Sequence, residues 1–182
     1  MKNDSNQTTT EPPASTPTAI PTSSVAAATP TTGATAATDA NAASAGTDPY
    51  LTELRFIKWD RFSPPNFNKT YEVSGQPYVH SIAIGCHATC TEQQIISYNL
   101  GKKYRKLTFG VGIEDNSATR EQVAVFTLIA DGKPIFEKTT QKNEPVTSQE
   151  IDVTDVLTLE LAVTATKNKS SQLVWMTPQL HS

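Results

Sequence analysis

The sequence predicts an all-β fold, an antiparallel β-sandwich of jelly-roll type behind a disordered N-terminal linker. Three observations predict it. The composition changes abruptly near residue 49, apolar residues recur at period two from there on, and an Asp-Gly step joins two of the resulting runs.

Residues 1–48 read as the linker. Residues 1–49 hold no aromatic residue, few large aliphatics beyond Ile20 and Val25, and six of the chain's twelve prolines. Such a stretch cannot bury enough apolar surface to offset the entropy of ordering it. Runs such as TEPPASTPTAIPTSS favour the extended, solvated chain that holds extracellular modules off a surface. Residues 49–182 are then the folded domain.

The strands follow in order. Leu51–Trp59, Thr70–Val73, Val79–Ile84 and Ile95–Leu100 are expected as the first four. In the next, Leu107, Phe109, Val111 and Ile113 alternate with small or polar residues, as a half-buried strand requires. Val123–Ile129 reads the same way and meets Asp131-Gly132 before Pro134-Ile135-Phe136. A type I′ turn needs positive φ at both central residues, so a hairpin is expected at Ala130–Lys133. Ile151–Val153, then Leu157, Leu159, Leu161 and Val163 in alternation, then Leu173–Trp175 complete about nine strands. No segment carries a helical period of useful length, which favours two packed antiparallel sheets over a parallel α/β sheet.

Composition excludes several function classes. Net charge is −3, and from Tyr50 onward 14 Lys/Arg face 14 Asp/Glu, without the basic excess that nucleic-acid binding requires. The run Lys102, Lys103, Arg105 and Lys106 around Tyr104 reads as a solvated turn. MKNDSNQTTTEPPASTPTAI lacks an apolar signal core, and no apolar run reaches the roughly 18 residues of a membrane span. This leaves two alternatives: a piece of a surface or secreted protein, or a cytoplasmic chain with an unusual tail. Cys86 and Cys90, on one short loop, favour a disulfide and hence an oxidising compartment, since two cysteines are too few for a structural zinc site without help from His87 or His80.

Catalytic motifs are missing. The sequence has no Gly-rich phosphate loop, no G-x-S-x-G elbow and no H-E-x-x-H, and its three histidines are His80, His87 and His181. Glu114-Asp115 sits beside Asn116 and Ser117 and reads first as turn chemistry, while Asp152 and Asp155 read as surface acids. The expectation is a binding module, not an enzyme.

The segments IGCHATCTEQQIISYNLGKKYRKLTFGVGIEDNS, VAVFTLIADGKPIF, EIDVTDVLTLELAVTAT and LVWMTPQL, in that order, resemble the NPCBM family of carbohydrate-binding modules found beside glycoside hydrolase catalytic domains. The likeness rests on Gly85, His87 and Ala88; on Tyr98, Leu100 and Gly101; on Val111, Gly112 and Ile113; on Asp131, Gly132 and Lys133; on Asp152, Val153, Thr154 and Val156; and on Trp175. It runs from about Tyr50 to Leu180. The resemblance implies a galactose-binding-like sandwich that recognises sugar on loops at one end or across one face. It also shows departures: Val174 stands where members often carry an acid before the tryptophan, and Glu114 follows Val-Gly-Ile with Asp115 one residue later. These alter any metal site, so no cofactor is expected, and calcium is the one ion the resemblance leaves open.

Sugars are held by aromatic faces and by hydrogen bonds from side chains. That criterion picks out Trp59, His87, Asp115, Asn116 and Arg120 as candidate binding residues, on three loops that should gather at one end: Trp59–Asn66, Cys86–Cys90 and Glu114–Arg120. Trp59 also reads as a cap on the core, and Trp175 reads as core. The expected partner of a monomeric domain is then a glycan or polysaccharide. The alternative function is a structural or protein-interaction sandwich without a working sugar site.

Overall fold

The computed structural model describes residues 48–60, 65–86, 90–118, 121–166 and 170–182. The expected linker up to residue 47, and the tips of several loops, lie outside the described residues. Ten strands are described: β1 Phe56–Asp60, β2 Asn66–Val73, β3 Gln76–Cys86, β4 Gln94–Asn99, β5 Lys106–Ile113, β6 Val123–Ala130, β7 Lys133–Gln141, β8 Gln149–Asp152, β9 Thr158–Ala165 and β10 Ser171–His181. They form two five-stranded antiparallel sheets, ordered β1-β4-β9-β6-β7 and β2-β3-β10-β5-β8. The fold class is the one the alternation predicts.

The period-two pattern becomes the core directly. Leu107, Phe109, Val111 and Ile113 of β5 and Leu159, Leu161 and Val163 of β9 are buried between the sheets with Ala124, Phe126 and Leu128 of β6. Trp175 is fully buried at the centre, with Phe109 and Phe126 rings each 5.3 Å away. Offset and edge-on aromatic contacts of this kind add to the burial itself. The β6–β7 hairpin turns at Asp131 (φ 47°) and Gly132 (φ 80°), the double positive φ of a type I′ turn. Asp131 then accepts the Leu157 and Thr158 N–H groups, which ties this hairpin to the entry of β9.

Some expected boundaries move. Leu51–Glu53 is a 3-10 turn and not the start of a strand, because the Tyr50 N–H is taken by the Glu53 carboxylate (3.0 Å) while Leu51 is buried. β7 and β10 run well beyond Phe136 and Trp175. β10 continues through Thr177-Pro178 because a register shift between Met176 and Gln179 absorbs the proline. Asp48, at the end of the expected linker, meets the last strand: its carboxylate contacts His181 Nδ1 at 2.8 Å, and the Leu180 N–H donates to the Pro49 carbonyl.

The β2–β3 hairpin departs most from a flat sheet. In strand order β2 lies three places from β5, yet a Cβ placed on Gly112 of β5 would sit 2.5 Å from Val73 Cγ1. The outer half of the hairpin is therefore folded over the solvent side of its own sheet. There Tyr71 and Val73 bury themselves against Ala83, Val174 and Met176, making a second small core outside the sandwich. Gly110 and Gly112 leave the room for it.

Candidate functional site

The antiparallel pairings bring the C-terminal ends of β1, β3 and β5 and the N-terminal ends of β2, β4 and β6 to one end of the sandwich. Asp60 pairs with Ile95, Asn66 with Ala83, Cys86 with Ser171, and Leu173 with Ile113. The described ends of the three expected loops lie at this end, and their tips at residues 61–64, 87–89 and 119–120 are outside the described residues. They are stitched to their neighbours: the Glu114 N–H donates to the Gln172 carbonyl (3.0 Å), the Ala118 N–H to the Ser170 carbonyl (2.8 Å) and the Ala165 N–H to the Cys90 carbonyl (2.6 Å). Cys86 and Cys90 form a disulfide with Cα atoms 5.4 Å apart, and both are buried.

The candidate residues at this end differ in what the structure does with them. Trp59 is half-buried against the main core, and its indole N–H is buried without a partner among the described residues. Asp115 is committed: its two carboxylate oxygens accept the Ser74 (2.9 Å) and Gly75 (2.8 Å) N–H groups, and its own N–H donates to the Glu72 carbonyl. It latches the tip of the folded-over hairpin. Asn116 is exposed, beside a buried Ser117 whose hydroxyl accepts the Gln172 N–H. His87 and Arg120 lie outside the described residues.

Electrostatics at the latch follow from its crowding. Burial, and then the neighbouring Asp115 carboxylate, push the Glu114 carboxyl above its ordinary range. Burial and the charge of Glu114 likewise raise the Tyr71 phenol. On the other side of the hairpin tip the Ser74 hydroxyl donates to the Glu144 carbonyl at 2.6 Å, and the Glu144 carboxylate accepts from Thr140 and Gln141. Among the described residues no cluster of three or more His, Cys, Asp or Glu side chains has metal-binding spacing.

Sequence reading missed a second concavity, on the solvent side of the β2-β3-β10-β5-β8 sheet. It encloses about 350 Å³ between Tyr78, Thr108, Gly110, Ser148, Thr177 and Gln179. Thr108 is held by a chain of contacts: Asp48 Oδ2 to His181 Nδ1 at 2.8 Å, and His181 Nε2 to Thr108 Oγ1 at 3.0 Å. The order carboxylate, imidazole, hydroxyl is that of a hydrolase relay. Here the hydroxyl is a branched one in mid-strand, not one on an exposed turn, so its chemistry is hydrogen bonding. The sequence signal for this concavity is Gly110, at an outward position of β5.

Comparison with known proteins agrees with the geometry. Residues 36–181 match the NPCBM/NEW2 domain. No match is found among curated proteins. CBM51 from Clostridium perfringens GH95 in complex with methyl-galactose shares the fold at a TM-score of 0.61 and 17% identity, over 74% of this chain and 99% of that one. The structure of CBM51-2 in complex with GlcNAc and INT domains from Clostridium perfringens ZmpB does so at 0.59 and 16%, over 74% of this chain and 31% of that one. No helix among the described residues is long and apolar enough to cross a membrane. With the family match covering most of its length and the sandwich to go with it, the chain belongs to the NPCBM/NEW2 domain family and is a non-catalytic carbohydrate-binding module in kind.

Proposed function

We propose that this domain anchors its parent protein to glycan outside the cell or at its surface, binding as a monomer through the loop end of the sandwich. The observation that carries the location is the convergence of the β1–β2, β3–β4 and β5–β6 loops at one end, braced by the Cys86–Cys90 disulfide. His87 and Arg120 supply hydrogen bonds to sugar hydroxyls, Asn116 adds an exposed amide, and Trp59 supplies an apolar edge. Asp115 acts as a positioning residue through the hairpin latch. The disulfide and the near-neutral charge of the folded part support an oxidising compartment and an uncharged ligand. The linker of residues 1–48 serves as a tether, and a neighbouring glycoside hydrolase is the parent architecture this reading favours.

A glycan array followed by affinity electrophoresis tests the proposal, with galactosides and N-acetylglucosamine as first probes. Wild type should be retarded, and His87→Ala or Arg120→Ala should lose roughly tenfold in affinity at an unchanged melting temperature. Wild type that retains no glycan refutes the function. Variants that bind as wild type does move the site away from these loops.

A further inference from the structure

We propose that the concavity on the solvent side of the β2-β3-β10-β5-β8 sheet is a second glycan subsite that takes a single uncharged glycosyl unit, an assignment that rests on the glycan-binding reading above. Its size fits. About 350 Å³ lies at the small end of ligand-sized pockets and is open enough for a sugar that continues into a longer chain.

Its chemistry fits as well. Thr108, Ser148 and Thr177 offer hydroxyls, Gln179 an amide and Tyr78 a half-buried ring, beside an apolar floor where Val146 and Met176 cover Gly110. None of the lining side chains carries a charge, which selects against phosphates and uronic acids and for neutral sugars. A pyranose needs this combination of an apolar patch for its C–H face and hydroxyl or amide partners around its rim.

Two features show that the polar groups are held and not merely present. The Asp48–His181 pair fixes Thr108: with Nδ1–H donating to the carboxylate, Nε2 at 3.0 Å is the nearer acceptor for the threonine proton, ahead of the Gln179 carbonyl at 3.5 Å, and the hydroxyl oxygen keeps both lone pairs as acceptors. Similarly the Gln179 amide nitrogen donates to the Asp48 carbonyl (3.1 Å), which orients the amide and leaves its oxygen as the remaining acceptor. The second feature is backbone strain. Thr177 lies at φ 48°, a region that branched side chains avoid, at the register shift that interrupts β10. His80 of β3 also lies at positive φ, 50°, and stacks on Tyr50 with ring centroids 4.1 Å apart. Glycine or asparagine would tolerate such a position more easily. A threonine there is consistent with its hydroxyl being used, since bulges re-aim side chains and strain is retained where function needs it.

The test is an amide NMR titration of the full chain with neutral methyl glycosides and neutral oligosaccharides, with glucuronic acid as charged control. Saturable shifts are expected at Tyr78, Thr108 and Thr177, persisting in a His87→Ala, Arg120→Ala double variant. Ser148→Trp, which fills the opening from an exposed position, should weaken these shifts at least tenfold. Thr177→Gly should do the same while melting no lower than wild type, because the strain is relieved as the hydroxyl is lost. Glycan binding without shifts at these amides, or groove variants that bind as wild type does, overturns the second subsite and leaves the module's function standing. Equal response to glucuronic acid overturns the neutral-ligand assignment. A wild type that binds no glycan in any readout overturns both.

Discussion

Replacing Asp115 by Ala separates a ligand-contacting role from a positioning one. The carboxylate accepts two N–H groups, at 2.9 Å from part-buried Ser74 and at 2.8 Å from exposed Gly75. A hydrogen bond to a charged acceptor contributes about 1.5–3 kcal/mol when shielded, and much less where water can replace the acceptor. Counting the Ser74 bond near the low end of that range and the Gly75 bond at a few tenths gives about 2 kcal/mol. For a domain of this size that corresponds to a fall in melting temperature of roughly 6–10 °C. The loss should be local before it is global. Without the latch, the hairpin tip loses its hold on the end of β5, although Val73 still packs against Met176 and over Gly112. Hydrogen exchange is the assay, because it reports the Ser74 and Gly75 amides individually. Both should lose protection in Asp115→Ala while Phe126 and Leu161, in the centre of the other sheet, keep theirs relative to the new global stability. Unchanged protection at Ser74 and Gly75, with a melting temperature equal to wild type, would refute the latch and return Asp115 to the list of free ligand-binding acids.

Two further outcomes follow from burial and from charge. Trp175→Ala should destabilise the fold by about 3–5 kcal/mol in urea melts, since it empties the space between Phe109 and Phe126; a loss under about 1 kcal/mol would mean that the cavity collapses. The acid response has two opposed parts. Glu144 is held below its ordinary value of 4.5, first by the Gln141 N–H, and Asp131 and Asp152 below 3.8, by the Thr158 and Leu157 N–H groups and by Thr154 respectively. Lowered carboxyls give stability that is present above the unfolded value and lost as pH falls through the folded one, so the urea midpoint should drop between about pH 5 and pH 3. Glu114, raised chiefly by burial, does the reverse: its ionisation costs stability at neutral pH, and the cost vanishes below 4.5. Glu114→Gln should therefore raise the urea midpoint at pH 7 and not at pH 4, and an equal shift at both would show that its charge is not the cause.

Much of this molecule was legible from residue order alone. Alternation in β5 and β9 states which side chains are buried, because a strand's faces repeat every two residues whatever it packs against. Asp131-Gly132 states its turn, because few residue pairs accept two positive φ angles. Cys86 and Cys90 are close enough in sequence to pair. These are local properties, and they sufficed for the fold class. What tertiary structure alone decided lies on the solvent side of one sheet. Nothing local marks Thr177 as a positive-φ residue, since a branched side chain avoids that region. Nor does anything announce that Val73 will lie over Gly112, or that Asp115 will spend its carboxylate on a turn 40 residues earlier. Asp48, Thr108 and His181 meet across a sequence separation of 133 residues. Such contacts are imposed by the chain as a whole: the hairpin folds over because the face that Tyr71 and Val73 cover is apolar and glycine-lined, and burying that face is favourable.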